Sequence, residues 1–400
     1  MASLAHILLD KGYEVEGCDT LDYVYTQDDL LKRNVKIYNF DEYEYKKDDV
    51  VIFGHSFKDS EEVDIARFFV DKVYEYHEFL SLIIKESKLS IGISGSHGKT
   101  WTTGLISYLF DKLTNISYLI GDGEGKYKGN DIFVFEACEY QDHFLLYECD
   151  IALVLNIDYD HVDYFKSEED YIESFNKFSN KSKMCILNKD DLNINKLKVD
   201  NFIYYSMDDI SDLVLNKEGY SFKYKGIKID TNIYGKKHIL NLIGVITLFN
   251  YLNIDINDYK DYINKFNGVK RRFKEIIVNG DLYIDDYAHH PTQILYTLEM
   301  IKNKYPEYEI IVFFKPDRAS RFLTFYKDFA ISFNNADKVI LLKNMDIDIS
   351  LLIKENKKKF FKFNKRMIRY VKSRKKKVVV SFSSKNMNDV FESIFIKWII

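Results

Sequence analysis

The sequence predicts an α/β fold in three domains, each built on a mainly parallel sheet with flanking helices. Three observations predict it. Short β-rich runs alternate with longer stretches of helical period, as in strand-helix-strand units and unlike a sandwich. Most of these runs end in polar residues, which parallel sheets present at their carboxyl edges. The length, 400 residues, corresponds at about 150 residues per domain to two or three domains.

The first region, residues 1–88, begins with a helix over Leu4 to Lys11 and a strand over Glu14 to Gly17 that ends at Asp19. A second strand, Val50 to Phe53, ends at Gly54 and His55. An acidic residue closing an early strand is placed to meet a nucleotide sugar at the carboxyl edge, and a solvated turn aspartate accounts for Asp19 equally well. The second region, residues 89–267, opens with the strand Leu89 to Ile93, a glycine loop and the helix Thr102 to Leu113. Strands at Phe133 to Phe135, Ile151 to Asn156 and Met184 to Asn188 follow, then the helix Ile239 to Leu252. The third region, residues 268–400, carries strands at Leu282 to Asp285, Ile310 to Phe314, Lys338 to Leu342 and Val378 to Phe382. Between Lys354 and Lys377 the chain is rich in Lys and Arg, with Phe360, Phe361, Phe363 and Tyr370 interleaved. This pattern suits the solvated face of a helix with apolar anchors better than a nucleic-acid surface, because the chain as a whole is acidic.

Composition narrows the function classes. A formal charge of −5 argues against a general polyanion-binding surface, so no nucleic-acid partner is expected. Apolar residues at 46% and charged residues at 30% exclude a disordered tail protein. With 17 Gly and 3 Pro, linker-rich and collagen-like architectures are excluded, and clustered glycines become informative. Cys18, Cys138, Cys149 and Cys185 form no CxxC pair, which argues for reduced cytosolic thiols over a zinc knuckle or a disulfide framework. No apolar run approaches the roughly 20 residues that cross a bilayer, and Met1 to Asp10 has neither the basic start nor the cleavage site of a signal peptide. A cytoplasmic protein without a membrane partner is expected.

The sharpest chemical signal is Gly95-Ser96-His97-Gly98-Lys99-Thr100, set between a strand and a helix. Glycines let backbone N–H groups turn inward around phosphate oxygens, and the helix N-terminus adds its positive end. Lys99 reaches the outer phosphates, and Thr100 can ligate Mg²⁺. ATP and Mg²⁺ are thus the expected cofactors. Metal ligands are expected from the strand ends, where Glu136 and Glu139 follow one strand and Asp158, Asp160, His161 and Asp163 follow another. Mg²⁺ favours oxygen donors, so a satisfied loop histidine is the default for His161. In the third region, ahead of the basic segment, Arg271, Arg272, Arg318 and Arg321 fall in two tight pairs. Guanidinium forks suit phosphate and carboxylate oxygens, and surface salt bridges would use the same residues.

These blocks resemble a family. The Ser94 to Thr100 loop, Phe135-Glu136-Ala137-Cys138-Glu139-Tyr140, Asn156-Ile157-Asp158-Tyr159-Asp160-His161 and Gly268-Val269-Lys270-Arg271-Arg272-Phe273 are similar to motifs of the ATP-dependent Mur ligases. Asp285-Asp286-Tyr287-Ala288-His289-His290-Pro291-Thr292 narrows the resemblance to the branch that joins L-alanine to UDP-N-acetylmuramate. The resemblance implies an N-terminal domain for the UDP sugar, a central ATPase domain and a C-terminal Rossmann-like domain. It implies activation of a carboxylate as an acyl phosphate, with Lys99 and Mg²⁺ on Thr100 and Glu136 stabilising the phosphoryl group and a second ion near His161. It also implies that Arg318, Arg321 and His290 hold L-alanine, that Arg272, Asp286 and Asn241 face the nucleotide, and that Asp19 and His55 lie on the sugar-nucleotide side. A monomer or weak dimer goes with it.

Several blocks depart from the family pattern. The family begins with a strand and a glycine-rich loop where this chain starts at Met1-Ala2-Ser3-Leu4; a misplaced start codon accounts for this as well as real loss does, and if Met1 is the true start, weak sugar-nucleotide binding is expected. Trp101 replaces a small hydroxyl residue, and Lys237-His238 replaces a His-Asn pair. Lys315 and Asp317 stand for Gln and His, and Ser383-Ser384-Lys385-Asn386 for a glycine-rich turn. Two other readings share the same residues: a nucleotide-binding protein without ligase turnover, and a Mur-type ligase with another amine acceptor.

Overall fold

A computed structural model describes residues 1–19, 24–278, 281–344, 347–374 and 376–384; Lys385 and Asn386 lie outside them. The chain divides into two compact units, one of Met1–Asp158, Ile172–Ser206 and Gly244–Tyr259, the other of Tyr159–Tyr171, Met207–Ile243 and Lys260–Ile400.

The first unit contains two short parallel ladders. One pairs β1 (Gly17–Cys18) with β2 (Ile37–Tyr38), the other β3 (Val50–Phe53) with β4 (Lys72–Glu75). The strand expected over Glu14 to Gly17 is therefore shorter and displaced. Tyr13 and Glu14 are exposed and Val15 is only half-buried, and only Gly17 and Cys18 find ladder partners. The helix Ala2–Asp10 buries Leu4 and Ile7, close to the expected span.

A seven-stranded sheet dominates this unit. Its strands are β5 (Leu89–Ser94), β6 (Ser117–Leu119), β7 (Gly125–Lys126), β8 (Ile132–Glu136), β9 (Ile151–Val154), β10 (Met184–Asn188) and β11 (Phe202–Tyr205), in the order β11-β10-β9-β5-β8-β6-β7. All neighbours are parallel except the β6–β7 hairpin. β5 and β9 are almost wholly buried, as strands covered on both faces must be. The helix after the glycine loop starts at Lys99, earlier than the sequence suggested, and runs to Leu113. Its Phe110 packs on Phe249 with ring centroids 4.6 Å apart.

The second unit holds an antiparallel sheet of β12 (Ile210–Asn216), β13 (Gly219–Tyr224) and β14 (Ile227–Asp230). β12 is largely exposed, so it has no apolar alternation to announce it. A six-stranded sheet follows from β15 (Lys274–Val278), β16 (Asp281–Asp286), β17 (Glu309–Phe314), β18 (Lys338–Leu341), β19 (Phe360–Lys362) and β20 (Lys377–Phe382). Its order is β15-β16-β20-β17-β18-β19, parallel apart from β15. Ile310 to Phe314 and Val378 to Val380 are buried on both faces, each side chain contributing about 1.5–3 kcal/mol.

The basic segment is only partly the helix expected. Phe360 enters β19, and the helix proper covers Lys365–Ser373 with Val371 buried. Its cations meet local anions: Arg374 and the Tyr370 hydroxyl bond to Glu309, Lys376 bonds to Glu307, and the buried Lys377 bonds to Asp281 at 2.7 Å. Among the described residues no helix is long and apolar enough to cross a membrane. All four cysteines are free.

Candidate functional site: two carboxyl edges

In the first unit β5, β8 and β9 are parallel neighbours, so the loops that leave them share one edge of the sheet. That edge gathers the residues expected to cradle phosphate. Gly95 and Gly98 hold φ of +136° and +88°, values that a side chain disfavours. A Cβ on Gly95 would also lie 3.1 Å from the Asn156 backbone. Asn156, just past β9, accepts from His97 N–H through its side-chain oxygen at 2.9 Å and donates to the His97 carbonyl at 2.8 Å. Its own carbonyl accepts from Ser96 N–H at 3.1 Å. Ser96 Oγ accepts from Asp158 N–H at 2.9 Å, and His97 Nε2 lies 2.8 Å from the Asp158 carboxylate.

Lys99 Nζ donates to the Gly95 carbonyl and, at 2.6 Å, to Glu139. Burial alone would lower the Lys99 pKa, but the Glu139 charge beside it raises it, so the amine stays protonated. Thr100 Oγ1 lies 3.2 Å from one oxygen of Glu136, and Gly121 N–H donates to the other. A hydroxyl and a carboxylate so close are hard oxygen donors of the kind Mg²⁺ takes. The two glutamates after β8 thus divide their work, Glu139 holding Lys99 and Glu136 standing with Thr100.

Asp19 and His55 lie elsewhere in this unit. The Asp19 carboxylate accepts from Gln27 Nε2 at 2.6 Å. His55 Nδ1 lies 3.9 Å from Glu75, with the His143 ring against it.

In the second unit β16, β20 and β17 are parallel, and their following loops again share an edge. Asp286 ends β16. Its carboxylate is buried and accepts from the N–H groups of Phe273 and Ala288 at 3.1 and 2.7 Å and from Thr297 Oγ1 at 3.2 Å. Burial raises its pKa, against the lowering effect of Arg272. Asp286, expected to face a nucleotide, is engaged in holding the 271–273 turn to its own loop. Arg272 lies over the Tyr287 ring, 4.8 Å from its centroid. Arg271 reaches Asp285 at 3.2 Å and the Ser383 carbonyl. Asn241 is buried on the helix Lys236–Tyr251, and His238 one turn earlier is pushed down to about 4 by burial and then by the Arg272 charge.

His290 caps the helix Pro291–Lys304, accepting from Thr292 N–H, and its buried ring packs on Phe325. The two arginines after β17 were expected as open forks for a carboxylate. Both are engaged. Arg321 is 3% exposed and grips Asp160 through Nε at 2.9 Å and Nη2 at 3.2 Å, with Asp317 at 3.4 Å. Burial would raise the Asp160 pKa, but the Arg321 charge holds the carboxyl well below its usual range. Arg318 is more exposed and meets both oxygens of Asp163 at 3.1 and 3.3 Å. His161 follows Asp160 with φ of +53°, its N–H on Asp160 Oδ1 at 2.7 Å. The carboxylates after β9 therefore sort into a histidine partner, Asp158, and two arginine partners, Asp160 and Asp163. Sequence reasoning grouped them as metal candidates, because nothing local marks a pairing across 161 positions.

Three family models match successive stretches of the chain. Models of the Mur ligase family catalytic domain, the Mur ligase middle domain and the Mur ligase glutamate ligase domain match residues 1–88, 93–249 and 271–390. The chain belongs to the Mur ligase family. It is 38% identical over 358 residues to the UDP-N-acetylmuramate–L-alanine ligase of Lactococcus lactis subsp. cremoris strain SK11, across 85% of this chain and 80% of that protein. It is 40% identical over 355 residues to the ligase of the same name from Lactiplantibacillus plantarum, across 85% and 81%. Among solved structures, a UDP-N-acetylmuramate–alanine ligase from Thermotoga maritima superposes with a TM-score of 0.82 at 20% identity, covering 100% of this chain and 96% of that one. A murein peptide ligase from Psychrobacter arcticus gives 0.72 at 18% identity, with 100% and 95% covered. At those identities the likeness shows the shared Mur ligase fold.

Proposed function

We propose that this Mur ligase joins L-alanine to UDP-N-acetylmuramate with consumption of ATP, a step of peptidoglycan precursor synthesis. The identity of 38–40% over 85% of the chain to ligases named for that reaction carries the reading. The phosphate cradle is common to this reading and to a nucleotide-binding protein without turnover, so product formation separates the two.

The chemistry assigns a task to each edge. At the first, backbone N–H groups of residues 95–100 receive the ATP phosphates, whose oxygens replace Glu139 as acceptors for Lys99. Thr100 and Glu136 would hold Mg²⁺, and the ion would supply charge neutralisation for the transferred phosphoryl group. A carboxylate oxygen of the sugar nucleotide bonds to the γ-phosphorus as the bond to ADP breaks, giving an acyl phosphate. The amine of L-alanine, its ammonium proton lost to solvent, attacks the acyl carbon, and the tetrahedral adduct gives up a second proton to solvent as its C–O bond breaks and phosphate leaves. Positioning and charge neutralisation are the protein's main contributions.

At the second edge, Arg318 is the residue we assign to the L-alanine carboxylate, since its half-exposed pair with Asp163 exchanges at little cost. Arg321, buried on Asp160 and Asp317, positions the loop that carries His161, the contact assigned to a second ion. His290 lines the same edge. Asp286 fixes the turn from which Arg272 reaches the nucleotide, with Asn241 on the adenine side. Asp19 and His55 keep their assignment to the sugar nucleotide. The three domains follow residues 1–88, 89–267 and 268–400, in a cytoplasmic enzyme that is a monomer or weak dimer.

An isotope experiment tests the reaction. With ¹⁸O in the lactyl carboxylate of UDP-N-acetylmuramate, one label should appear in the released phosphate and the amide product should form with L-alanine. Unlabelled phosphate would exclude the acyl phosphate, and a product formed equally with unrelated amines would favour another acceptor.

A further inference from the structure

Three segments of the first unit bring His55, Glu75 and His143 together. His55 opens the turn after β3, Glu75 ends β4, and His143 lies in the turn Tyr140–Leu146 that follows β8. β3 and β4 are paired with Phe53 opposite Glu75, so the first two residues are neighbours by register. His143 is brought to them by two consecutive residues in left-handed backbone, Gln141 and Asp142, with φ of +53° and +61°. The Ser174 hydroxyl bonds to Asp142 and fixes that turn.

The donor atoms of His55, Glu75 and His143 all lie within 4.8 Å of one another. His55 Nδ1 and Glu75 Oε1, at 3.9 Å, are too far apart for a hydrogen bond. Glu75 Oε2 accepts from His77 N–H at 2.8 Å and so orients the carboxylate, while Glu75 Oε1 is buried with no hydrogen-bond partner. His143 Nε2 is likewise buried and without one. The His143 ring is held between His55, edge-on at 4.7 Å, and His77, stacked at 3.9 Å. Two buried acceptor or donor atoms without partners at one point are unusual in a folded protein, and a cation would satisfy both at once.

We infer that His55, Glu75 and His143 form a binding site for a divalent transition-metal ion of the zinc type, distinct from the Mg²⁺ oxygens of Thr100 and Glu136. Two imidazoles and one carboxylate suit zinc, cobalt or nickel and not magnesium. Tetrahedral bonds of about 2.0–2.2 Å place donors about 3.4 Å apart, so the His55–Glu75 pair needs little closure and side-chain rotation supplies the rest. The hydrogen bond from His77 N–H to the second carboxylate oxygen is the outer support that metal-bound carboxylates carry. An ion here cross-links residues of the segment 1–88 to the turn that directly follows Glu136 and Glu139, and stabilises the folded chain by mass action.

Cobalt is the probe. The full-length chain, stripped with a chelator and kept in excess Mg²⁺, is titrated with Co²⁺ and followed by visible absorption and thermal unfolding. A single equivalent should bind with the d–d bands of a nitrogen and oxygen set and no sulfur charge-transfer band, raise the unfolding temperature and be displaced by Zn²⁺. His143→Gln and Glu75→Gln should each weaken binding by ~10-fold or more. Should either fail to fold, His55→Gln, at the most exposed of the three positions, serves the same purpose. Absence of a bound equivalent, a thiolate band from one of the four cysteines, or affinity unchanged in the folded variants overturns the assignment.

Discussion

The two carboxyl edges are built alike, from loops leaving three adjacent parallel strands, yet they hold charge differently. At the first edge the cradle is backbone. Glycines at positive φ and a helix start present N–H groups, and one cation, Lys99, rests on a neighbouring carboxylate that a phosphate can replace. At the second edge the working groups are side chains already matched to one another, Arg321 to Asp160 and Asp317, Arg318 to Asp163. A backbone cradle depends on a few consecutive residues, whereas an ionic lattice depends on residues that only folding brings together.

Breaking the lattice should have the largest effect on stability. Arg321→Ala leaves Asp160 buried and unpaired, which costs about 3–5 kcal/mol and should appear as a lowered denaturant midpoint. Unfolding unchanged within 1 kcal/mol would show that the pair is not structural. Breaking the cradle should show chiefly in turnover. Lys99→Ala is expected to reduce kcat by roughly 10²- to 10³-fold, about 3–4 kcal/mol of transition-state stabilisation, with ATP binding weakened; it also strands the buried Glu139, so the midpoint of unfolding should fall as well.

A third prediction separates the edges by pH. His238, held neutral near 4 by burial and Arg272, has an ordinary value of about 6.5 in the unfolded chain. Between those values the unfolded state binds a proton that the folded state refuses, so its contribution to stability is lost as pH falls from about 6.5 towards 4. His238→Gln should flatten the stability profile in that window by up to ~1.4 kcal/mol per pH unit and leave it unchanged above pH 7. An identical slope in the variant would place the acid sensitivity elsewhere.

The smallest stability effect is expected at Arg318, whose exposed pair contributes less than about 1 kcal/mol. Arg318→Ala should nevertheless raise KM for L-alanine far more than KM for ATP. Equal rises would assign it to the nucleotide.

The difference between the edges also explains what could be read beforehand. The sheets' central strands announced themselves by apolar runs with polar ends, and β10 was legible to the residue. The cradle was legible because Gly95 to Thr100 is one continuous stretch. The state of Arg318 and Arg321 was not, since their partners lie about 155 and 161 positions away and the carboxylates after β9 look alike in sequence. β12 escaped notice because most of its side chains face solvent, and the basic segment hid β19 because lysines flank Phe360. The cluster of His55, Glu75 and His143 carries no spacing signal, for its members come from three separate segments.

One measurement bears most directly on the division of labour between the edges. Phosphate release from ATP by the full-length chain, followed with Mg²⁺ while UDP-N-acetylmuramate or L-alanine is omitted in turn, asks whether the cradle works only when both substrates are present. Sustained release that requires both, in a one-to-one ratio with amide product, is the predicted result. ATP binding without release dependent on the sugar nucleotide, or release indifferent to L-alanine, would contradict it.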